Sequence, residues 1–415
     1  MNKCRIVMCG IFILFMYKNF KKNSYNRFSN HSRNRFPQKR RFSGGKQFSQ
    51  KINISKFINK AVVTEKTESF VPVNQFSDFN FNPGLMANIV SKGYAEPTPI
   101  QDKIISHILQ GSDVMGAANT GTGKTGAFLI PLIQKVLKNP KEKVIIVVPT
   151  RELAEQINRE FKSLAKGLRI YSVCCVGGAS IRAQIFDLKQ YNNFIIGTPG
   201  RLKDLIQRKL INLFSFSTIV LDEADRMLDM GFIVDIKFIM SLMPKNRHTL
   251  LFSATMVREV ETLAREFLNN PVTISVKTGD TPENIEQDIV KVGGAEKIAV
   301  LQELLFKVEF TKVLIFGKTK HGVENLSKKL VARGFKAESI HGNKSHPQRQ
   351  RSLESFRINR IQILVATDVA ARGLDIPDVS HVINYDMPNT HEDYIHRIGR
   401  TGRSNKKGMA LTFID

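Results

Sequence analysis

Short apolar runs alternate with longer amphipathic stretches along most of this chain, and the alternation begins at Phe76. The runs VIIVV (144–148), FII (194–196), TIVL (218–221), LLF (250–252) and VTISV (272–276) are β-branched and continuous, as expected of strands buried on both faces of a parallel sheet. The amphipathic segments between them predict crossover helices, so residues 76–276 read as a doubly wound α/β domain. A polar stretch, KTGDTPEN (277–284), is broken by Gly279 and Pro282 and predicts an interdomain linker. The rhythm then restarts with VLIF (313–316), ILVAT (363–367) and HVINY (381–385), which predicts a second α/β domain over 285–415.

Ahead of Phe76 the pattern is different. Residues 18–75 are rich in Lys, Arg, Asn, Ser, Gln and Gly, with Phe20, Tyr25, Phe28, Phe36, Phe42 and Phe48 scattered between charges. This reads as a disordered basic arm, 1–75. It holds 16 of the 62 Lys and Arg residues but two acids, Glu65 and Glu68, a net charge of +14 against +11 for the other 340 residues. A pI near 9.9 points to an anionic polymer, nucleic acid before a membrane surface. Aromatics among the charges suit base stacking as well as phosphate contact, a solubilising tail being the alternative.

The apolar run IVMCGIFILFMY (6–17) follows Lys3 and Arg5 but is short for a transmembrane span and has no small-residue cleavage site after it. Translation from Met16 would remove most of it; otherwise it reads as a weak organelle-targeting or anchoring signal, and no stable membrane partner is expected. Cys4, Cys9, Cys174 and Cys175 have neither zinc-ligand nor disulfide-framework spacing, so a reducing, cytoplasmic setting fits.

Two stretches carry chemistry. In ANTGTGKTG (118–126) the glycines let backbone N–H groups approach phosphates, Lys124 neutralises them and Thr125 reaches Mg²⁺; Ala118 replaces the first glycine of the usual phosphate loop. In STIVLDEAD (217–225) a strand runs into Asp222 and Glu223 at the carboxyl edge of the sheet, where Mg²⁺ bridging the β- and γ-phosphates of ATP would sit. Asp222 then binds the metal through water, Glu223 deprotonates the attacking water, and Asp225 points to neighbouring motifs.

The series GYAEPTPIQ (93–101), ANTGTGKT, PTRELA (149–154), GG (177–178), TPGR (198–201), DEAD (222–225), SAT (253–255), ATDVAARGLD (366–375) and HRIGRTGR (396–403) resembles, in this order, the DEAD-box RNA helicases. DEADRMLDMGF and HGNKS (341–345) look most like the bacterial RhlE-type branch. The resemblance covers Phe76 to Asp415. It implies two RecA-like doubly wound domains in tandem that close on ATP and RNA together, with Ala118, Asn119, Thr120, Gly121, Thr122, Gly123, Lys124 and Thr125 at the phosphates. It also implies adenine reading by Gln101, stacking by Phe76 and ribose contact by Asp375. Arg400 and Arg403 resemble arginine fingers, on a stretch whose spacing gathers positive charge on one helical or turn face. His396 resembles the residue that couples nucleotide state to Ser253 and Thr255.

RNA contact through sugar and phosphate is implied at Thr150, Arg151, Gly178, Thr198 and Arg201 in the first domain and at Arg349, Thr367 and Arg372 in the second. His346 stands where many members of the resembled family have Gln, a departure from its pattern just before Arg349. The resemblance also implies a further helix after MALTFID (409–415). The expected activity is local, ATP-dependent unwinding of RNA by a monomer, within ribosomal or RNA-decay assemblies; the alternatives are an ATP-gated RNA clamp and a DNA-directed motor.

Overall fold

The computed structural model describes residues 58, 70–118, 121–276, 284–294, 296–371, 376, 378–402 and 407–414, all within one unit, Ser49–Asp415. The apolar run at 6–17, the basic arm to residue 57 and linker residues 277–283 lie outside these.

Seven strands make the first sheet: β1 (Val114–Ala118), β2 (Val144–Val147), β3 (Ser172–Cys175), β4 (Phe194–Gly197), β5 (Thr218–Leu221), β6 (His248–Ser253) and β7 (Val272–Val276). Their order is β3-β4-β2-β5-β6-β1-β7, with parallel pairing throughout. The helices with them are α1 (Pro83–Ser91), α2 (Pro99–Gln110), α3 (Lys124–Lys138), α4 (Arg151–Leu164), α5 (Ile181–Lys189), α6 (Pro199–Gln207), α7 (Ala224–Asp229), α8 (Ile233–Ser241) and α9 (Arg258–Phe267).

The second sheet has six strands, β8 (Ile285–Lys291), β9 (Val313–Phe316), β10 (Ala337–Ile340), β11 (Ile363–Ala366), β12 (His381–Asn384) and β13 (Gly408–Ile414), ordered β10-β11-β9-β12-β13-β8 and again parallel. With it run α10 (Lys297–Leu305), α11 (Lys320–Ala332), α12 (His346–Arg357), α13 (Asp368–Ala371) and α14 (His391–Ile398).

Continuous apolar strands serve two cores at once because successive side chains leave opposite faces. Val144, Ile146 and Val148 enter the core on one face of the first sheet, Ile145 and Val147 the core on the other. Val313 and Ile315 part from Leu314 and Phe316 in the same way in the second sheet. VTISV departs from the expectation of full burial: β7 is an outer strand paired with β1 alone, and its residues alternate between half-buried and exposed. The small-residue strand β1 and the polar or short strands β3, β8 and β10 carry no continuous apolar run, so the hydrophobic pattern did not reveal them.

Candidate functional site

Strands β5, β6 and β1 are neighbours, so the segments leaving their carboxyl ends lie side by side at one edge. From β1 the chain passes through Gly121, Thr122 and Gly123 into α3; Asn119 and Thr120 lie outside the described residues. Gly123 has φ +91°, and a Cβ there would come within 2.8 Å of both Gln101 Nε2 and Thr98 Oγ1, so glycine is required twice over. Lys124 is buried and its Nζ donates to the carbonyl of Ala118 at 2.9 Å, folding the loop over its own amine. Thr125 is half-buried one residue into the helix.

Beside this loop, Asp222 and Glu223 end β5, 3% and 4% exposed. Burial pushes the Asp222 carboxyl up to about 6 against the pull of Lys124, and Asp222 Oδ1 accepts from the Glu223 N–H at 2.9 Å. Glu223 caps α7 in the left-handed region, φ 52° and ψ 51°, a conformation costing a non-glycine residue about 1 kcal/mol or more. Its Oε2 is buried without a hydrogen-bond partner among the described residues, 4.0 Å from Nε of the buried Arg226.

Asp225 turns away from both. Its Oδ2 accepts from Ala254 N at 3.1 Å, Thr255 N at 2.9 Å and Thr255 Oγ1 at 3.0 Å, and Ser253 Oγ donates to the Thr255 carbonyl at 2.6 Å. Burial opposes ionisation of Asp225, but Arg226, Lys124, the Thr255 N–H and His396 together hold its carboxyl below the usual range. His396 of the second sheet therefore faces Asp225 of the first.

Of the stretch HRIGRTGR, His396, Arg397 and Arg400 line one pocket. Helix α14 ends at Ile398, and Arg397 is buried in its own half, bidentate to Asp368 at 2.5 and 2.8 Å and bonded to Asn384 Oδ1 and the Asp386 carbonyl. Arg400 lies past the helix end, 3% exposed, its Nε 3.3 Å from the His396 carbonyl, in a pocket it shares with Arg226 and His396. Arg403, Arg372 and Asp375 lie outside the described residues.

The two residues expected at the adenine are both buried. Phe76 is 2% exposed and packs in the core near Tyr94, ring centroids 6.2 Å apart, because Asp102 anchors the preceding backbone at Val73 and Asn74. Gln101 is fully buried, its Oε1 accepting from Thr98 N at 3.0 Å and its Nε2 donating to the Gly123 carbonyl at 3.1 Å, so its amide ties α2 to the phosphate loop.

The expected RNA contacts of the first sheet leave β2, β3 and β4, neighbours on the other half of the same edge. Thr150 caps α4, its Oγ1 accepting from Leu153 N at 3.3 Å; Thr198 precedes α6. The Arg151 guanidinium lies against Gly178, whose φ of +76° and lack of a Cβ make the approach possible. Arg201 donates to Gln184 Oε1 at 2.9 Å, and Gln184 in turn to the Val176 carbonyl. Arg151 and Arg201 line an open cavity of about 430 Å³ with Thr150, Thr198 and, from the second sheet, Arg349 and Val369. Burial and the neighbouring Arg349 and Arg201 lower the Arg151 pKa, the mark of like charges converging. Thr367, at the end of β11, is half-buried.

Some partners carried no role in the sequence reading. Glu152 and Glu155 of α4 meet α12: Arg349 Nη2 lies 2.6 Å from Glu152 Oε1, and His346 Nε2 lies 2.6 Å from Glu155 Oε1. Their i, i+3 spacing on a helix was the available signal. Arg226 and Gln184 had none.

Residues 98–263 match the family model described as DEAD/DEAH box helicase, and residues 296–405 match the helicase conserved C-terminal domain. The chain is 44% identical over 342 residues to the ATP-dependent RNA helicase CshA of Limosilactobacillus reuteri and 46% over 341 residues to the DEAD-box ATP-dependent RNA helicase CshA of Bacillus subtilis (strain 168). Each match covers 82% of this chain and 69% of the relative. Among solved structures, S. cerevisiae Dbp5 bound to RNA and ADP BeF3 superposes with a TM-score of 0.74 at 33% identity, covering 82% of this chain and 89% of that one. Mss116p bound to ssRNA and AMP-PNP gives 0.75 at 32% identity over 83% and 76%.

Proposed function

The chain belongs to the DEAD-box family of ATP-dependent RNA helicases, with two RecA-like domains in tandem, and from that premise we propose how its own residues remodel RNA at the expense of ATP. One observation carries the reading: the phosphate loop, Asp222 with Glu223, and Ser253 leave three adjacent strands, while from the second sheet's half His396 acts on Asp225 and Arg400 shares a pocket with Arg226.

Gly121, Thr122, Gly123, Lys124 and Thr125 cradle the triphosphate, with Lys124 exchanging the Ala118 carbonyl for phosphate oxygen. Buried Asp222, short of positive charge, suits a hard cation, so Asp222 and Thr125 would hold Mg²⁺, whose charge neutralises the phosphates when bound. Glu223 takes the proton of the attacking water at its unpartnered Oε2. Arg400 balances charge that develops on the transferred phosphoryl group. Asp225, held by the Thr255 N–H and hydroxyl and facing His396, links the hydrolytic edge to the second sheet.

Arg151, Arg201 and Arg349, converging on one open cavity, suit the sugar-phosphate backbone of RNA, a contact that carries no sequence code. A cytoplasmic location is supported by the bacterial relatives, while ribosomal or RNA-decay assemblies and a monomeric state rest on the family resemblance alone. No helix among the described residues is long and apolar enough to cross a membrane. The domain limits 76–276 and 285–415 are supported by the two separate sheets. An RhlE-type affinity rests on DEADRMLDMGF and HGNKS alone, the relatives named above being CshA proteins.

The test is ATP hydrolysis and strand separation measured side by side with RNA and with DNA of the same sequence. RNA is expected to stimulate hydrolysis and a short RNA duplex to separate; equal stimulation by DNA would overturn the substrate, and hydrolysis without separation would favour the clamp.

A further inference from the structure

Glu152 and Glu155 stand one turn apart on α4, and His346, Arg349 and Gln350 stand at i, i+3 and i+4 on α12, so each set lies on one helical face. The two faces meet across the cleft. Glu155 receives two partners, His346 Nε2 on Oε1 at 2.6 Å and Gln350 Nε2 on Oε2, while Arg349 pairs with Glu152 beside them. His346 is 10% exposed at its side chain and Glu155 22%. Neither Glu155 nor His346 belongs to the cavity lining, which takes Glu152 and Arg349 from the same two faces.

We propose that Glu155 is a positioning residue for RNA: by holding His346 and Gln350 it clasps α12 onto α4 and sets Arg349 beside Arg151 and Arg201. This rests on the RNA reading of that cavity. Chemically, the His346 imidazole meets the Glu155 carboxylate at hydrogen-bond distance. Removing one member of a half-buried, hydrogen-bonded pair leaves its partner uncompensated. Here the two sheets relieve that cost by parting, so the loss falls on closure. Because RNA binds the closed arrangement, enough RNA restores it: the change is one of half-saturation rather than of turnover.

The experiment uses the full chain and reads RNA-stimulated ATP hydrolysis against the concentration of a single-stranded RNA, with a melting curve for each variant. Glu155→Lys is expected to raise half-saturating RNA about tenfold or more while turnover at saturating RNA stays within about twofold. Adding His346→Glu should bring the double variant back to within about threefold of the parent, since the charge pair is restored in reverse. Arg349→Ala, which touches the cavity itself, reports on the RNA reading independently. If Arg349→Ala weakens RNA and Glu155→Lys does not, or if the double variant recovers nothing, the clasp is wrong; if Arg349→Ala has no effect, the RNA reading of the cavity is wrong. Should Glu155→Lys fail to fold, Glu155→Gln and His346→Gln carry the same comparison, each expected at about threefold and at no more than that when combined.

Discussion

Glu223 combines strain, burial and an open hydrogen-bond acceptor in one residue: a left-handed backbone, 4% exposure and an Oε2 with no hydrogen-bond partner among the described residues, its nearest cation Arg226 at 4.0 Å. Strain persists at such a position when the surroundings impose it, and here the Asp222 carboxylate holds the Glu223 N–H from the preceding residue. Glu223→Gln keeps the shape and removes the base. Single-turnover hydrolysis is therefore expected to slow by about 10² to 10⁴, with ATP and RNA binding retained; near-parental hydrolysis would remove Glu223 from its role. At this scale the sequence was most legible where a residue's role follows from its strand end, as with Asp222 and Glu223. It was least legible where a side chain's partner comes from far along the chain. Gln101 and Phe76 show this: neither residue type foretells that the amide bonds the Gly123 carbonyl or that the ring is buried behind the Asp102 anchor.

Among the elements, β10, α11 and the turn ahead of α12 are joined by one carboxylate. Glu324 of α11 accepts from Ser339 Oγ at 2.5 Å and from His341 Nε2 at 3.1 Å, with Lys344 and Lys328 each 3.5 Å away. The Ser339 hydroxyl first, then His341 and the lysines, hold its carboxyl at about 2 against an ordinary 4.5. A carboxyl depressed in the folded state stabilises fully above its unfolded pKa, and that contribution is lost as pH falls through the folded value. Glu324→Gln should accordingly lower the melting temperature by a few degrees at pH 7, with the gap closing between pH 4.5 and about 2. A gap that persists at pH 2 would mean that packing, not charge, holds these elements. Strands such as VIIVV and VLIF were legible because both their faces are buried. By contrast β3 and β10, SVCC and AESI, bear side chains too small or polar to make a hydrophobic run, and VTISV reads as buried although it borders solvent.

Across the whole molecule, the function proposed above divides its site between the two sheets. The first would supply the phosphate loop, Asp222 and Glu223, and the second Arg400 and His396, which share a pocket with Arg226; the cavity with Arg151 and Arg201 also takes Arg349 from the second. That division was legible as two runs of α/β rhythm around a polar break, whereas the facing of α12 on α4 was not, since no periodicity encodes contact between positions 155 and 350. The most direct measurement is single-turnover ATP hydrolysis by full-length Arg400→Ala at saturating RNA, beside its affinity for ATP. A group that acts across the cleft on the transition state should cost on the order of a thousandfold in rate and little in ATP affinity. Hydrolysis at the parental rate would contradict a site shared between the two sheets.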